Sequence, residues 1–349
     1  MAEAQSMVRS GFGARVAAKS ILSLALILIA ACVPTVQRAG LPRDGFQGPR
    51  FDVAAARFYS FDGAPLGLSA WTPADNQEPW AVIIALHGMN DYAGAFYLAG
   101  PYFAQHGVAV YAYDARGFGR SPNRGVWGGE RLMTEDVRTA VAVARRMHPN
   151  AKIAVMGDSM GSATAIATFG AESAPDIDRL ILVAPAVWGW STMPDSYAAT
   201  LWIGAHTLPW RAVSPPRGVT RRVVASDNNA ALLQAGRDPH MIWTTRIDAL
   251  YGLVSLMEDA SQRAANLHGD VLFLYGAHDQ IIPRASAVAT ARRLPTTART
   301  ALYANGYHWL LRDLQARVVY DDILAYLADA DAQLPSQAPT LLPVLQANR

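Results

Sequence analysis

Ile153-Ala-Val-Met-Gly157-Asp-Ser159-Met-Gly161-Ser-Ala-Thr-Ala-Ile166 passes from an apolar run to an alanine-rich segment through one serine set between two glycines. Residues 153–156 read as a buried strand. Residues 162–169 contain neither Gly nor Pro and read as a helix. A chain that turns at once from strand to helix forces its central residue into strained backbone geometry. It also brings the flanking positions against their neighbours, so a Cβ two residues before or after Ser159 would clash. Gly157-x-Ser159-x-Gly161 therefore has the pattern of a nucleophile elbow. Such a turn lifts the hydroxyl above the sheet edge at a helix N-terminus, where the Met160 N–H is placed to bind a developing oxyanion. The same five residues also fit a glycine-rich turn with a capping serine, and the strand–turn–helix context favours the nucleophile.

The alternation extends to both sides. Upstream, residues 80–86 form a solid apolar strand ending in His87-Gly88-Met89-Asn90. Residues 94–106 read as a helix and residues 108–113 as a strand leading into Asp114-Ala-Arg116-Gly-Phe-Gly119-Arg-Ser121. Residues 132–147 carry Val137, Val141, Ala144 and Met147 at helical spacing. Residues 54–73 contain two strand-like pieces around the turn Phe61-Asp62-Gly63. Downstream come strands at 180–184, 271–275 and 300–303, with helices at 283–294, opened by Pro283, and at 311–327. This order predicts an α/β fold, a mostly parallel sheet with helices on both faces.

The alternation is interrupted between 188 and 267. That stretch has no clean strand and holds five of the nine tryptophans, Trp188, Trp190, Trp202, Trp210 and Trp243. It reads as a helical cap between two parts of one core, 51–187 and 268–332. Residues 333–349, with Pro335, Pro339 and Pro343, read as a loosely held tail. At the other end, basic residues precede an eleven-residue apolar run, 21–31, too short to span a bilayer as a helix but suited to the core of a signal peptide. Ile29-Ala-Ala-Cys32 then resembles the lipobox of bacterial lipoproteins, in which the cysteine is lipidated and becomes the mature N-terminus. Cys32 is the only cysteine, which suits an exported chain without internal disulfides. Residues 1–31 are thus expected to be a lipoprotein leader and 32–50 a tether. Val33 after the cysteine favours the outer membrane by resemblance to bacterial sorting rules.

Of 349 residues, 51% are hydrophobic and 17% charged, a composition that excludes a disordered chain. The formal charge of +2 resides in residues 1–31, which hold Arg9, Arg15, Lys19 and Glu3. The remainder is neutral overall, so nothing points to a nucleic-acid partner. No H-E-x-x-H, C-x-x-C or carboxylate cluster has metal-ligand spacing, and neither a metal nor a cofactor is expected.

A serine hydroxyl needs a base, and the base needs an acid to orient it. In a parallel sheet, sites collect at the carboxyl ends of the strands. Asp279 lies just beyond the strand at 271–275, and His308 follows the last strand through Asn305-Gly306-Tyr307. Two plainer readings compete: Asp279 capping the helix after it, and His308 as a surface residue. His278 is a second candidate base, His87 reads as a structural hydrogen-bonder, and Asp158 as a residue pointing away from its neighbour's hydroxyl. Met89 is the expected second oxyanion donor.

Together, His87-Gly88, Asp114-x-Arg116-Gly-x-Gly-x-Ser121, Gly157-x-Ser159-x-Gly161, Gly276-x-x-Asp279 and His308 resemble the monoacylglycerol lipase and lysophospholipase branch of the α/β-hydrolases over residues 54–330. The resemblance implies an eight-stranded sheet with a cap inserted after strand six. It also implies the triad Ser159, Asp279 and His308, and an oxyanion hole of Met89 and Met160 amides. The implied reaction is hydrolysis of a small-molecule acyl ester or lipid through an acyl-enzyme. Trp188, Trp190, Met193 and Trp202 either line an acyl-chain tunnel or pack the cap onto the core.

Overall fold

Runs of five to seven residues, rich in Val, Ile, Leu and Ala and closed by turn residues, are too short for buried helices, and each forms a strand. In the computed structural model, residues 33–74, 77–214 and 223–342 are described. Three antiparallel strands, β1 (Arg50–Asp52), β2 (Arg57–Tyr59) and the longer β3 (Pro65–Trp71), lead into the main sheet. Its parallel strands are β4 (Ala81–Leu86), β5 (Val108–Tyr113), β6 (Lys152–Asp158), β7 (Arg179–Val183), β10 (Val271–Gly276) and β11 (Arg299–Tyr303). The spatial order is β1-β2-β3-β5-β4-β6-β7-β10-β11. β4 has β5 on one side and β6 on the other, so the connections leave in opposite directions and open a crevice at its carboxyl end.

Helices cover both faces. On one side pack α2 (Glu130–Met147), α3 (Met160–Phe169), α6 (Ile247–Arg263) and α7 (Arg284–Ala291). On the other lie α1 (Ala99–Gln105) and α8 (Ala316–Ala328). β4, β5 and β10 are buried along their whole length, as strands sandwiched between two helical layers must be.

Four expectations need correction. The sheet has nine strands rather than eight, because β1 adds an edge strand where the tether was expected to end. Three residues carry no periodicity; β1 is held by Phe51, whose ring stacks 4.7 Å from Tyr111 and meets Phe58 edge-on at 5.1 Å. The segment expected as one helix over 94–106 is a 3₁₀ turn, Ala93–Phe96, followed by α1. The insertion is not purely helical: β8 (Ala212–Val213) and β9 (Thr245–Arg246) pair in a two-residue ribbon beside α4 (Asp195–Thr207) and α5 (Asn229–Arg237). Its last helix, α6, belongs to the core, burying Ala249, Val254, Leu256, Met257 and Ala260 there. That is the crossover helix which parallel strands β7 and β10 require.

The tail is also docked rather than loose as far as residue 342. Leu334 and Leu341 are buried, Leu302 N–H donates to Pro339 O (2.8 Å), and Leu341 N–H donates to Thr300 Oγ1 (3.0 Å). The tail covers the outer edge of β11, where unpaired backbone groups would otherwise face solvent. Residues 343–349, the expected leader and Cys32 lie outside the described residues.

Candidate active site

At the end of β6 the chain reverses through Ser159, which adopts φ +52° and ψ −111°. A side chain rarely occupies this left-handed region, so the neighbours must impose it. Ser159 N–H donates to Val183 O (2.9 Å), and Ser159 O accepts from Ala186 N–H (3.1 Å). The glycines have a measurable cause: a Cβ on Gly157 would lie 2.3 Å from Ser162 N, and one on Gly161 only 2.0 Å from Leu86 O. Only glycine fits either place.

The loops after β10 and β11 bring the other two residues to Ser159. His308 Nε2 is 3.0 Å from Ser159 Oγ, and His308 Nδ1 is 2.7 Å from Asp279 Oδ2. Asp279 Oδ1 accepts from the Ile281 and Ile282 N–H groups at 2.8 and 2.9 Å, so both carboxylate oxygens are held. Its side chain is inaccessible to solvent. Burial pulls the His308 pKa down, but the charge and hydrogen bond of Asp279 outweigh it and leave the imidazole above its ordinary 6.5. The two loops pack at Gly276, where a Cβ would stand 2.4 Å from Tyr307 O. His278 is exposed and stacks on Tyr307 at 5.2 Å, so it is not the base beside Ser159.

The turn after β4 supplies the facing wall. Gly88 allows it to approach, since a Cβ there would meet Ser159 Cβ at 3.3 Å. Met89 lines the cavity, and Met160 opens α3 directly after the nucleophile. His87 has a structural role: its Nδ1 pairs with Gly88 O and its Nε2 accepts from Ala115 N–H, both at 2.8 Å. Burial lowers its pKa, which keeps the ring in the neutral form that both bonds require. Asp114 braces the same turn, accepting from Ala93 N–H (2.9 Å) and pairing with Arg120 (2.8 Å). Arg116, equally buried, bridges Asp62 and Asp136 at 2.9 and 2.7 Å.

Above Ser159 lies a cavity of about 750 Å³. Met89, Val213, Met241, Ile242, Trp243, Leu250, Ile281 and Trp309 make most of its wall. Beyond Ser159 and His308, its polar part includes Asn90, Asp91, Asp158, Thr245 and Arg312. Arg312 pairs with Asp91 at 2.7 Å, both nearly buried, and lies over the Trp309 ring at 3.7 Å. Asp158, expected to point away from its neighbour's hydroxyl, is nearly buried beside this wall and makes no hydrogen bond to Ser159 Oγ among the described residues. Burial raises its pKa to about 6 against the pull of Arg312 and His308. The insertion is fastened to the His308 loop through Trp309 N–H to Ala225 O (2.9 Å), Ser226 Oγ to Asp313 Oδ1 (2.6 Å) and Asn228 Nδ2 to Arg312 O (2.8 Å).

Trp188, Trp190, Met193 and Trp202 do not line the cavity. The first three are partly buried against the core, Trp190 donating to Ser255 Oγ (3.2 Å). Trp202 is 48% exposed and stacks on His206. Trp188, Trp190 and Met193 attach the insertion to the body, whereas its apolar share of the wall comes from residues 213, 241–243 and 250. Sequence reasoning missed Asn90, Met241, Ile242, Trp243 and Arg312. Asn90, directly after Met89, and Arg312, four residues beyond His308, lie close in sequence to residues already singled out.

Comparison with known proteins agrees with this architecture. The chain is 27% identical over 289 residues to a monoacylglycerol lipase of Mycolicibacterium smegmatis, covering 77% of this chain and 95% of that one. A soluble variant of the Saccharomyces cerevisiae monoglyceride lipase, solved with a substrate analog, superposes with a TM-score of 0.67 at 15% identity, covering 86% of this chain and all of that one. A thermostable carboxyl esterase from Bacillus coagulans gives a TM-score of 0.62 at 21% identity, covering 78% of this chain and 96% of that one. The fold is that of the α/β-hydrolases. A family profile described as serine aminopeptidase, S33, matches residues 77–315. That span runs from β4 past His308, well over half of the sequence, and the chain belongs to this hydrolase family.

Proposed function

We propose that this chain hydrolyses carboxylic esters of long acyl chains, monoacylglycerols or lysophospholipids, through an acyl-enzyme on Ser159. The observation that carries the reading is the hydrogen-bonded chain Ser159–His308–Asp279 at the floor of a largely apolar cavity. Ser159 Oγ attacks the carbonyl carbon while its proton passes to His308 Nε2. Charge gathers on the carbonyl oxygen and meets the N–H groups of Met89 and Met160. The bond to the alcohol breaks, and the alcohol leaves with the proton from His308. Water then repeats the sequence on the acyl-serine, releasing the fatty acid and restoring the hydroxyl. Asp279 stays ionised throughout, fixing the tautomer and stabilising the imidazolium. The apolar wall and relatives named as monoacylglycerol and monoglyceride lipases favour an ester over a peptide. A fluorophosphonate probe is expected to label the wild type and not Ser159→Ala, with turnover of long-chain esters lost in parallel. An unlabelled wild type would overturn the reading.

We further infer an exported, lipid-anchored protein of the bacterial outer membrane, supported by the apolar run 21–31 and the lone Cys32. The expected tether lies against the body soon after that residue: Thr35 N–H donates to Asp248 Oδ2 (3.3 Å) and Gln37 N–H to Trp127 O (2.9 Å). Only Val33 and Pro34 would then separate the lipid from the folded protein. Mass spectrometry of the mature N-terminus tests this; an unmodified Cys32 would refute it.

A further inference from the structure

We propose that Ser226 and Asp313 are positioning residues, through which one stretch of the insertion, residues 224–228, clamps the loops that carry Asp279 and His308. Turnover would then depend on that stretch being seated, although neither residue lines the cavity over Ser159. The proposal rests on the ester-hydrolase reading above and adds two residues to its machinery.

His308 sits in an irregular loop between β11 and α8, so no strand or helix fixes its place. The peptide N–H groups on either side of it are held instead. Tyr307 N–H donates to Asp313 Oδ2 (2.7 Å), and Trp309 N–H donates to Ala225 O (2.9 Å). Asp313 Oδ1 accepts from Ser226 Oγ (2.6 Å), which itself accepts from Asn228 N–H (3.1 Å). Asn228 Nδ2 completes the knot by donating to Arg312 O (2.8 Å). At its other end the same stretch meets the acid loop: Val224 N–H donates to Gln280 Oε1 (2.9 Å), one residue past Asp279. The two loops also bond to each other, His278 N–H to Gly306 O (2.8 Å), but that bond lies before residue 307 and leaves His308 to the knot.

Burial decides how much these bonds matter. Ser226 is 1% exposed and Asp313 3%. Burial also raises the Asp313 pKa to about 6 against the bonds from Ser226 and Tyr307, which leaves a carboxylate at neutral pH with both oxygens accepting. A partner lost there is not replaced by water unless the loop shifts. Asp279 holds the imidazole only by its Nδ1, so the backbone beneath the ring is set by Asp313 and Ala225. His308 Nε2 stands 3.0 Å from Ser159 Oγ, within reach for proton transfer, and a displacement of about 1 Å typically costs about 100-fold in rate. Met241, Ile242 and Trp243, which face the acyl chain in this reading, lie outside the knot. Its loss should therefore fall on kcat rather than on KM.

The test measures kcat and KM of the full-length protein on p-nitrophenyl laurate. Each value is expressed per site labelled to completion by a fluorophosphonate, so unfolded protein drops out. Asp313→Ala, which removes both acceptors, should lower kcat by about 100-fold with KM within about threefold. Ser226→Ala, which deletes one hydroxyl and keeps the charge, should lower kcat by about 10-fold. Asp313→Asn retains an oxygen for Tyr307 N–H and should recover most of what Asp313→Ala loses. Ser336→Ala takes a hydroxyl from another buried carboxylate, Asp322 on α8, and should leave kcat per site unchanged. Wild-type kcat per site in Ser226→Ala, a loss confined to KM, or an equal loss in Ser336→Ala overturns the proposal. Should Asp313→Ala not fold, Ser226→Ala and Asp313→Asn decide the matter alone. An unlabelled wild type, or a labelled one inert towards the ester, refutes the ester-hydrolase reading instead.

Discussion

The turn that carries Ser159 and the insertion that roofs it are built under opposite constraints. At the turn, glycine Cβ positions would fall 2.0–2.3 Å from backbone atoms, and Ser159 and His87 have their backbone or ring atoms tied by short hydrogen bonds. In the insertion, α4 buries only Ala205, while Tyr197, Trp202, Trp210 and Trp243 all stand more than 45% exposed. The two glycine positions of the turn admit no side chain, and the insertion tolerates many. Chemistry is therefore fixed by sterics and substrate contact by surface, and the two regions should respond differently to substitution.

The contrast makes graded predictions. The largest effect belongs to the reacting groups: Ser159→Ala or His308→Ala should lower kcat/KM by about 10⁴–10⁶ with an unchanged circular dichroism spectrum. Near-wild-type turnover in either would erase the distinction. The raised His308 pKa adds a pH signature, because the base works only when neutral. The acid limb of kcat/KM should lie above pH 6.5, and Asp279→Asn, by removing the group that holds the proton, should move it lower. Next comes Gly161→Ala, whose added carbon has no room beside Leu86 O; denaturant melts should show a loss above about 4 kcal/mol or no soluble protein.

Asp158→Asn is intermediate. The folded protein keeps the Asp158 proton up to about pH 6, whereas the unfolded chain loses it near the ordinary 3.8, so this group's contribution to stability falls as pH climbs between those values. The asparagine variant should be more stable than wild type by on the order of 2 kcal/mol at pH 7 and lose that advantage below pH 4. Equal stability at both pH values would show that the carboxylate is better solvated than its burial implies. The smallest effect is expected for Trp202→Ala, within about 0.5 kcal/mol in stability and twofold in turnover. A tenfold rise in KM there would extend the substrate wall into α4.

The same contrast explains what could be read without coordinates. Ser159, Asp279 and His308 were legible because strand ends and glycines mark where a site must lie. The insertion was legible only as an interruption. Nothing in an apolar composition separates Trp188, which packs on the core, from Trp243, which lines the cavity. β1 escaped because three residues show no period, and the tail because prolines look irregular whether or not they are docked.

The fasteners between residues 225–228 and the loop bearing His308 have a consequence for traffic. They act as a doorpost. Swinging the roof away from that post would drag the imidazole off its serine, leaving the chamber open and idle at once.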